Sequence, residues 1–264
     1  MVYLILGASS FYGKSFIKLL KSRGEKYKIS DYRLGSPLTP SADCLVNFAS
    51  MSSVVESWDD PEDWMETNAV GMTYLARSKV KRFIHVSTPE VYGSTDEWVT
   101  ERHRLNPTTP YAVSRAAADM LLNAYFKAYG FPVIITRTAN IYGVGQQPYR
   151  LIPKAFSGDI KIHGDGLSQR SFIHVQDACE ALYLLSKEGQ LGHTYHISTK
   201  RALPILEVVR MVYKLTGRKF NPEFIPERLG KDYAYWLNSD KIRKLGWSDK
   251  ITLEEGLNEY HNHT

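Results

Sequence analysis

Residues 2–13 read VYLILGASSFYG, and this stretch decides the fold. Five consecutive strand-forming residues, Val2–Leu6, lead directly into Gly7, and a second glycine follows at Gly13. In a dinucleotide-binding turn the first glycine makes the tight bend, and the last one lets the helix pack closely against the strand. The N-terminus of that helix then faces a pyrophosphate. The stretch therefore predicts the strand, turn and helix that open a Rossmann-like unit.

The middle position of the turn is Ser10 rather than glycine. Serine is small, and its hydroxyl could donate a hydrogen bond to a phosphate. Asp31 closes the second predicted strand, at the distance from Gly13 where an acidic residue accepts hydrogen bonds from an adenosine ribose. Asp31 favours NAD over NADP, because its charge repels a 2′-phosphate, although Arg33 weakens that distinction. Two glycines in a strand–helix turn also occur without a ligand, so a structural role stays open.

Apolar strands alternate with amphipathic helices through the first half of the chain, the pattern of a parallel sheet with helices on its faces. Asp60-Pro61 and Thr109-Pro110 each place an N-cap residue before a proline, which predicts two long helices over about 61–78 and 110–129. The connection from Asp31 to Cys44 is too short and too rich in proline for the usual crossover helix. We predict an α/β fold, a Rossmann-like doubly wound parallel sheet with one strand–helix unit shortened after Asp31.

Shorter strands and helices follow from Leu151 onward, and they predict a smaller C-terminal α/β substrate-binding domain. The expected division is an NAD-binding Rossmann domain over 1–150, which also receives about 174–199, and an interleaved substrate-binding domain over 151–264.

The composition is that of a globular protein, with 264 residues of which 43% are hydrophobic. No apolar run approaches the roughly 20 residues that span a bilayer. The apolar run at the N-terminus is too short for a signal-peptide core, so we expect a cytoplasmic protein. Cys44 and Cys179 are too few for a disulfide framework, and no cysteine or histidine spacing indicates a metal site. The net charge of +5 is consistent with an anionic partner, or it could reflect only a lysine-rich surface. The basic stretches are short and do not indicate a nucleic-acid partner.

A second informative stretch, VSTPEVYGS over residues 86–94, follows a predicted strand. It presents the hydroxyl of Thr88 and the carboxylate of Glu90 on either side of Pro89. Proline locks its own φ and disfavours the helical conformation for the residue before it, which predicts an extended path between the two side chains. Glu90 could act as a base there, or it could simply cap a helix or form an ion pair.

Tyr111 and Arg115 lie in the first turns of the helix predicted over 110–129. Residues four apart share a helix face, so the phenol and the guanidinium can converge on one site. A fixed cation favours the phenolate, which predicts that the pKa of Tyr111 falls from about 10 towards neutrality. Such a phenol can take a proton from a hydroxyl while hydride leaves the same carbon. Taken alone, the pair could equally be a surface tyrosine beside an arginine.

Together these motifs resemble the extended short-chain dehydrogenase/reductase family, specifically its nucleotide-sugar branch and most closely the dTDP-glucose 4,6-dehydratases. The similarity covers nearly the whole chain, up to about residue 247. The motifs that carry it, in family order, are Gly7–Gly13, Asn47–Ala49, Asn68–Gly71, Ser87–Gly93, Pro110–Arg115, Asn140–Gly143, Leu151–Pro153 and Arg170–Val175.

The resemblance implies an NAD-dependent lyase. Thr88 is expected to hydrogen-bond the sugar 4-hydroxyl, Tyr111 to deprotonate it, and Glu90 to remove the C5 proton before water leaves from C6. Two residues depart from the family pattern. Arg115 replaces a lysine and donates with a different geometry, and Pro89 replaces the aspartate that protonates the departing C6 hydroxyl.

The resemblance also implies the binding residues. Those expected to hold the NAD are Gly7, Ser9, Ser10, Phe11, Tyr12, Gly13, Asp31, Arg33, Phe48, Ala49, Ser50, Asn68, Tyr111 and Arg115. Those expected to contact a nucleoside-diphosphate sugar are Thr88, Pro89, Glu90, Asn140, Arg150, Arg170, Arg228 and Asp232. Arg150 and Arg170 are expected to face the diphosphate with their bidentate guanidinium groups, whereas Arg228 could also be an ordinary surface charge.

The two departures leave other activities open. A uronate decarboxylase, a 4-epimerase or a 5,6-dehydratase of the same family remains possible, as does a non-catalytic sugar-nucleotide-binding protein. By analogy with the family we expect a homodimer built from the two long helices of each subunit, and neither a nucleic-acid nor a membrane partner.

Overall fold

The structure, a computed structural model, describes residues 1–30 and 41–263. Asp31, Arg33 and the rest of the shortened connection lie outside the described residues. The strands are β1 (Val2–Leu6), β2 (Lys26–Ser30), β3 (Ser41–Asn47), β4 (Lys79–Ser87), β5 (Trp98–Val99), β6 (Val133–Thr138), β7 (Asn140–Tyr142), β8 (Lys161–His163), β9 (Gln169–Arg170), β10 (Phe172–His174), β11 (Thr194–Ile197), β12 (Leu203–Pro204), β13 (Glu223–Ile225) and β14 (Trp236–Leu237).

The helices are α1 (Phe11–Ser22), α2 (Pro61–Trp64), α3 (Gly71–Leu75), α4 (Pro110–Tyr129), α5 (Leu151–Ser157), α6 (Val175–Glu188), α7 (Ile205–Leu215), α8 (Asp240–Arg243) and α9 (Leu253–Asn262). A π-helix, Met65–Val70, joins α2 to α3, and 3-10 turns cover Glu56–Trp58 and Pro89–Tyr92. No helix in these described ranges is long and apolar enough to cross a membrane.

Within residues 1–30 and 41–263, six parallel strands form the central sheet in the order β11-β6-β4-β3-β1-β2. Helices α1 and α6 pack on one face, where Tyr3, Phe16 and Leu182 are buried in the same cluster. Helices α3 and α4 cover the other face around Leu75 and Leu122. The Rossmann-like parallel sheet predicted from the sequence is therefore confirmed. Burial on both faces also explains why its inner strands β1 and β6 are rich in apolar residues, whereas the edge strand β2 is largely exposed.

A second core lies in the C-terminal part of the chain, where α5, α7 and α9 pack together. Its buried side chains include Phe156, Val209, Leu257 and Tyr260. Strand β11 belongs to the C-terminal half in sequence but pairs with β6 in the central sheet. The residue-by-residue division into two domains stays a prediction.

Of the two long helices predicted to begin at a proline, one is found as predicted and the other is shorter. Helix α4 runs over Pro110–Tyr129 as expected, because the Thr109 side chain accepts a hydrogen bond from the N–H of Ala112 (3.1 Å) and Gly130 ends the helix at φ 67°. The helix predicted over 61–78 ends earlier, at Leu75, and six of its residues are π-helical. The Asp60 side chain makes no capping hydrogen bond there.

The turn between β1 and α1 is closed by Ser10. Its hydroxyl donates to the carbonyl oxygen of Gly7 (2.7 Å) and accepts from the N–H of Gly13 (3.0 Å). The hydroxyl proton that we expected to reach a phosphate is therefore used inside the turn. Gly7 has φ 69°, and a Cβ at this position would lie 2.5 Å from the backbone nitrogen of Ala49. The turn therefore requires glycine for two separate reasons.

Replacing Gly7 by alanine is expected to lower the free energy of unfolding by about 3 kcal/mol or more, because backbone strain and a backbone clash add together. Gly24→Ala is the matched control. Gly24 has nearly the same φ, 65°, but a Cβ there meets nothing within 4 Å, so only about 1 kcal/mol of left-handed strain is expected. Urea denaturation measures both variants, and equal losses would contradict a close approach at Gly7.

A cluster of buried polar side chains joins β4, β6 and β11 to α4. The guanidinium of Arg137 donates from Nε and Nη2 to Asp119 Oδ2 (3.0 and 2.8 Å) and also contacts the Tyr92 hydroxyl. That hydroxyl lies 2.6 Å from His196 Nε2, and His85 Nε2 lies 3.7 Å from Asp119 Oδ1. Burial, followed by the charges of nearby arginines, holds the pKa of His85 well below its usual value. The ion pair between Asp119 of α4 and Arg137 of β6 thus joins this helix to the sheet.

Candidate active site

The first part of the site lies where β4 ends at the carboxyl edge of the sheet. Thr88 is buried and extended, with φ −136° and ψ 150°. Pro89 then begins the 3-10 turn Pro89–Tyr92, so the extended path predicted beyond Thr88 was wrong. Proline is favoured at the first position of a helical turn because its missing N–H would have no partner there. The turn places Glu90 one residue into a compact bend beside Thr88.

Tyr111, in the first turn of α4, lies against this bend. Its phenol interacts with the Thr88 hydroxyl and with the charges of Glu90, Arg115 and Arg150. Burial, and then the negative charge of Glu90, raises the pKa of Tyr111 above 10. Arg115, Thr88 and Arg150 lower it by less. The predicted fall of this pKa was therefore wrong, because burial outweighs the neighbouring cation.

Arg115 is almost completely buried, with 1% of its surface exposed. Its Nη2 donates to the carbonyl oxygen of Val86, the residue two positions before Thr88. Its Nε and Nη1 have no hydrogen-bond partner within the described ranges. A buried guanidinium with unused donors requires an acceptor, so a ligand with oxygen atoms suits this position.

Glu90 faces a tyrosine from a distant part of the chain. Its Oε1 accepts a hydrogen bond from the Tyr235 hydroxyl (3.2 Å), which also lies 3.5 Å from Asn140 Oδ1. Its Oε2 is buried and, among the described residues, makes no hydrogen bond. The side chain therefore neither caps a helix nor pairs with a cation in the described part of the chain. Tyr235 carried no motif that sequence reasoning could use, since 145 positions separate it from Glu90.

The structure gives Arg170 a different environment from the expected one. Its Nη1 and Nη2 donate to the backbone carbonyl oxygens of Tyr233 (3.0 Å) and Asp232 (2.7 Å), and its guanidinium lies 4.3 Å from the ring centroid of Tyr235. Both terminal nitrogens thus hold a loop, whereas we expected them to face a diphosphate. Asp232 itself is buried, with its Oδ1 accepting from the Thr108 hydroxyl (2.8 Å).

Arg150 and Arg228 differ in how the structure places them. Arg150 immediately precedes α5, and its positive charge lowers the pKa of Tyr111, so it belongs to the electrostatic environment of the site. Arg228 is exposed, and its backbone N–H donates to Glu227 Oε1 (2.9 Å).

The residues expected to hold the cofactor surround the first glycine turn. Phe48, Ala49 and Ser50 follow β3 directly, and the backbone of the first two lies within 3 Å of where a Gly7 Cβ would be. The Asn68 carboxamide bonds both backbone groups of Met51 (2.9 Å each) and the Ser114 hydroxyl (3.0 Å). Asn68 therefore ties this loop to α4.

Among the cofactor-binding residues expected at the start of α1, some offer a ligand only their backbone. The Tyr12 hydroxyl donates to the carbonyl oxygen of Ala178 (2.9 Å), so its ring points into the core and only its backbone is available to a ligand. Ser9 is exposed, and the amides of Phe11 and Tyr12 belong to the first helical turn, whose N–H groups have no intrahelical partner.

The parallel sheet, the glycine turn and the site at the carboxyl ends of the strands define a Rossmann-type protein of the nucleotide-sugar branch of the extended short-chain dehydrogenases/reductases. Comparison with known proteins narrows this class. The family model described as GDP-mannose 4,6 dehydratase matches residues 38–260. The chain belongs to this family.

Two relatives and one solved structure illustrate the similarity. The chain is 37% identical over 236 residues to a trifunctional UDP-glucose 4,6-dehydratase/UDP-4-keto-6-deoxy-D-glucose 3,5-epimerase/UDP-4-keto-L-rhamnose-reductase of Arabidopsis thaliana, covering 83% of this chain but only 35% of that protein. It is 34% identical to a dTDP-glucose 4,6-dehydratase of Streptomyces niveus, over 88% of this chain and 72% of the relative. A dTDP-glucose 4,6-dehydratase of Streptomyces venezuelae, solved with NAD bound, superposes with a TM-score of 0.92 at 27% identity, covering 99% of this chain and 97% of that one.

Proposed function

We propose that the chain is an NAD-dependent nucleotide-sugar 4,6-dehydratase-type lyase acting on a nucleoside-diphosphate hexose. The observation that carries the proposal is the convergence of Thr88, Glu90 and Tyr111 in one buried site at the carboxyl edge of the sheet. These are a hydrogen-bonding alcohol, a carboxylate and a phenol, the three groups that oxidation at C4 and proton removal at C5 require. The dehydratase relatives support the same activity.

The described residues fit NAD. The turn at Gly7 leaves no room for a side chain, and the first-turn amides of α1, which have no intrahelical partner, would bind a pyrophosphate. The unused donors of Arg115 suit the hydroxyls of a nicotinamide ribose. Bound NAD would supply the hydride acceptor and, later, the hydride donor. The other residues proposed to hold it are Ser9, Ser10, Phe11, Tyr12, Gly13, Phe48, Ala49, Ser50 and, indirectly, Asn68, together with Asp31 and Arg33.

The chain's own residues move two protons in this mechanism. Tyr111 takes the proton of the sugar 4-hydroxyl, which Thr88 orients through a hydrogen bond. Glu90 then takes the C5 proton, which is acidified by the ketone at C4. Tyr235 donates to Glu90 Oε1 and so leaves Oε2 as the basic atom. Burial of these groups excludes water and strengthens their electrostatic interactions.

We also propose how the substrate is held. Asn140 lies beside Tyr235 and contacts the sugar nucleotide, and Arg150 provides positive charge for the diphosphate. Arg228 is an exposed cation suited to the outer part of that diphosphate. Arg170 acts mainly by holding the loop that carries Asp232, since its terminal nitrogens already bond that loop's backbone.

Product mass tests the proposed function. The purified chain is incubated with NAD and, in separate reactions, with UDP-, dTDP- and GDP-hexoses, and the sugar nucleotides are analysed by mass spectrometry. A product that has lost one water and carries a ketone is expected. Substrates recovered unchanged in every reaction would overturn the proposal in favour of a non-catalytic sugar-nucleotide-binding protein.

Pro89 favours a second candidate of the same family. Pro89 replaces the aspartate that serves as the acid in the family. A uronate decarboxylase does not need to protonate a C6 hydroxyl, so this activity also suits the site. A UDP-uronate in the same assay distinguishes this activity by loss of carbon dioxide. A 4-epimerase would give a product of unchanged mass, and a 5,6-dehydratase would release an unsaturated sugar without a ketone.

We propose a cytoplasmic homodimer that pairs the π-helix and α4 of each subunit. Apolar side chains are exposed along these two helices, namely Met65, Val70, Val113 and Met120. A mass of twice 30.1 kDa is expected from light scattering. Met120→Glu, at a side chain that is 63% exposed, should shift the protein to the monomer, whereas Phe224→Glu, at a ring elsewhere that is 53% exposed, should not. A monomeric parent chain at micromolar concentration would contradict the dimer.

A further inference from the structure

The site lacks an acid where the related dehydratases are expected to have one. Pro89 lies between Thr88 and Glu90, and proline has no proton to donate. A hydroxyl leaves carbon readily only when it is protonated as it departs, a step to which a positioned acid typically contributes about 10²–10⁴-fold. Another group near Glu90 has to supply this proton if the chain eliminates water from C6.

The loop from Pro226 to Tyr235, which contacts Glu90 through Tyr235, carries a buried carboxyl group, that of Asp232. Asp232 is 5% exposed, and its Oδ1 accepts a hydrogen bond from the Thr108 hydroxyl (2.8 Å). Its backbone carbonyl accepts from Arg170 Nη2 (2.7 Å), and the next residue, Tyr233, donates its N–H to the Ser94 hydroxyl (2.7 Å). Arg170 and Ser94 therefore hold the backbone of the loop at Asp232, and Thr108 holds its side chain.

The same loop contacts Glu90 directly. Tyr235, three residues after Asp232, donates to Glu90 Oε1 (3.2 Å), and the negative charge of Glu90 raises the pKa of Asp232. Asp232 Oδ2 makes no hydrogen bond to the residues that the structure describes. Tyr235 is a poor acid by comparison, because burial holds its pKa well above 10 and its proton already bonds Glu90.

The charges around Asp232 suit a proton donor. The pKa of Asp232 is raised to about 6, mainly by burial and further by the charge of Glu90. The hydrogen bond from Thr108 and the charge of Arg170 lower this pKa by less. The Tyr235 phenol, which remains neutral, also faces it. A carboxyl group of this pKa holds its proton close to the pH at which enzymes work, the range in which general acids are most effective.

We propose that Asp232 is the acid that protonates the departing C6 hydroxyl, in place of the side chain that Pro89 lacks. This inference rests on the proposed dehydratase activity. Glu90 takes the C5 proton, and the electron pair of the C5–H bond forms the C5–C6 double bond. The C6–O bond breaks with its pair on oxygen, and the carboxyl proton of Asp232 completes a molecule of water. Asp232 is left as a carboxylate and Glu90 as a carboxylic acid.

Asp232→Asn tests this assignment, since the amide keeps the shape and the acceptor for Thr108 but has no acidic proton. The reaction is run in ²H₂O, and mass spectrometry reports deuterium at C5 of recovered substrate and water lost in product. The variant should still exchange the C5 proton while water loss falls by about 10²-fold or more. Asp177→Asn, which removes another buried carboxyl of raised pKa, away from Glu90, should leave the ratio of water loss to exchange unchanged.

The outcomes separate the two proposals. Water loss by Asp232→Asn at close to the parent rate overturns the assignment of the acid, whereas no water loss by the parent chain overturns the dehydratase itself. The variant is expected to fold, because a raised carboxyl pKa means that the charged group disfavours the folded state above about pH 6. As a second measurement, the parent's ratio of water loss to C5 exchange should fall as pH rises above about 6. A ratio independent of pH would also overturn the assignment.

Discussion

Tyr111→Phe should reduce turnover by about 10³-fold or more while leaving nucleotide-sugar affinity within a few-fold of the parent, because the substitution removes the base and retains the buried ring. Burial and the charge of Glu90 raise the pKa of Tyr111, so the phenolate becomes more abundant as the pH rises above neutrality. The kcat/KM of the parent for C4 oxidation should therefore rise with pH above neutrality. Product mass spectrometry and calorimetric binding measure the two effects.

Tyr3→Phe is the matched control for this substitution. Tyr3 is buried like Tyr111, and its hydroxyl lies 2.7 Å from Ser186 Oγ, on the face of the sheet covered by α6. Removing this hydroxyl should lower stability without changing turnover. Tyr111→Phe with more than about a tenth of parental activity is incompatible with a base that contributes 10²–10⁴-fold, and it would remove Tyr111 from the mechanism.

Glu90→Gln is expected to block the second proton transfer. The amide has no basic oxygen, so we expect product formation to fall by about 10²–10³-fold and no deuterium to enter C5 in ²H₂O. Oxidation at C4 depends on Tyr111 and should persist, so adding substrate should still change the absorbance of the nicotinamide. Neither signal should appear with Tyr111→Phe, and the two variants therefore identify separate steps.

Glu25→Gln is the matched control, because the carboxylate of Glu25 also accepts a hydrogen bond from a tyrosine hydroxyl. Glu25 Oε1 accepts from the Tyr183 hydroxyl (2.8 Å), much as Glu90 accepts from Tyr235, but it also accepts from Lys187 Nζ (2.6 Å), and both of these partners lie on α6. Its substitution should leave C5 exchange unchanged. Exchange at the parental rate in Glu90→Gln would assign proton removal to another group and would leave Glu90 with a binding role.

The features that the sequence predicted well depend on local signals. The turn from Gly7 to Gly13 and the whole of α4 follow from residues within a few positions of each other, such as Thr109, Pro110 and Gly130. These residues cap, start and end a helix by interactions within one turn. Thr88 and Glu90 could be placed at a strand end for the same reason.

The features that the sequence did not predict depend on distant contacts. The pKa of Tyr111 is set by how deeply the folded chain buries it, which no pattern in residues 110–115 encodes. Tyr235 contacts Glu90, and Asp232 lies three residues before it, in a loop that Arg170, Thr108 and Ser94 hold by hydrogen bonds. The π-helix within the segment predicted as one regular helix likewise carries the contact between Asn68 and α4, a tertiary requirement that helix-start signals do not report.

The polar cluster between the sheet and α4 makes this protein vulnerable to acid. Burial lowers the pKa of His196 to about 3 and holds that of His85 well below normal, so both imidazoles are neutral in the native state. The unfolded chain binds protons at these positions below about pH 6.5, and each ring then costs the native state up to about 1.4 kcal/mol for every further pH unit. Mildly acidic buffers should therefore lower the free energy of unfolding, while burial, which raises the pKa of both cysteine thiols, keeps them unreactive.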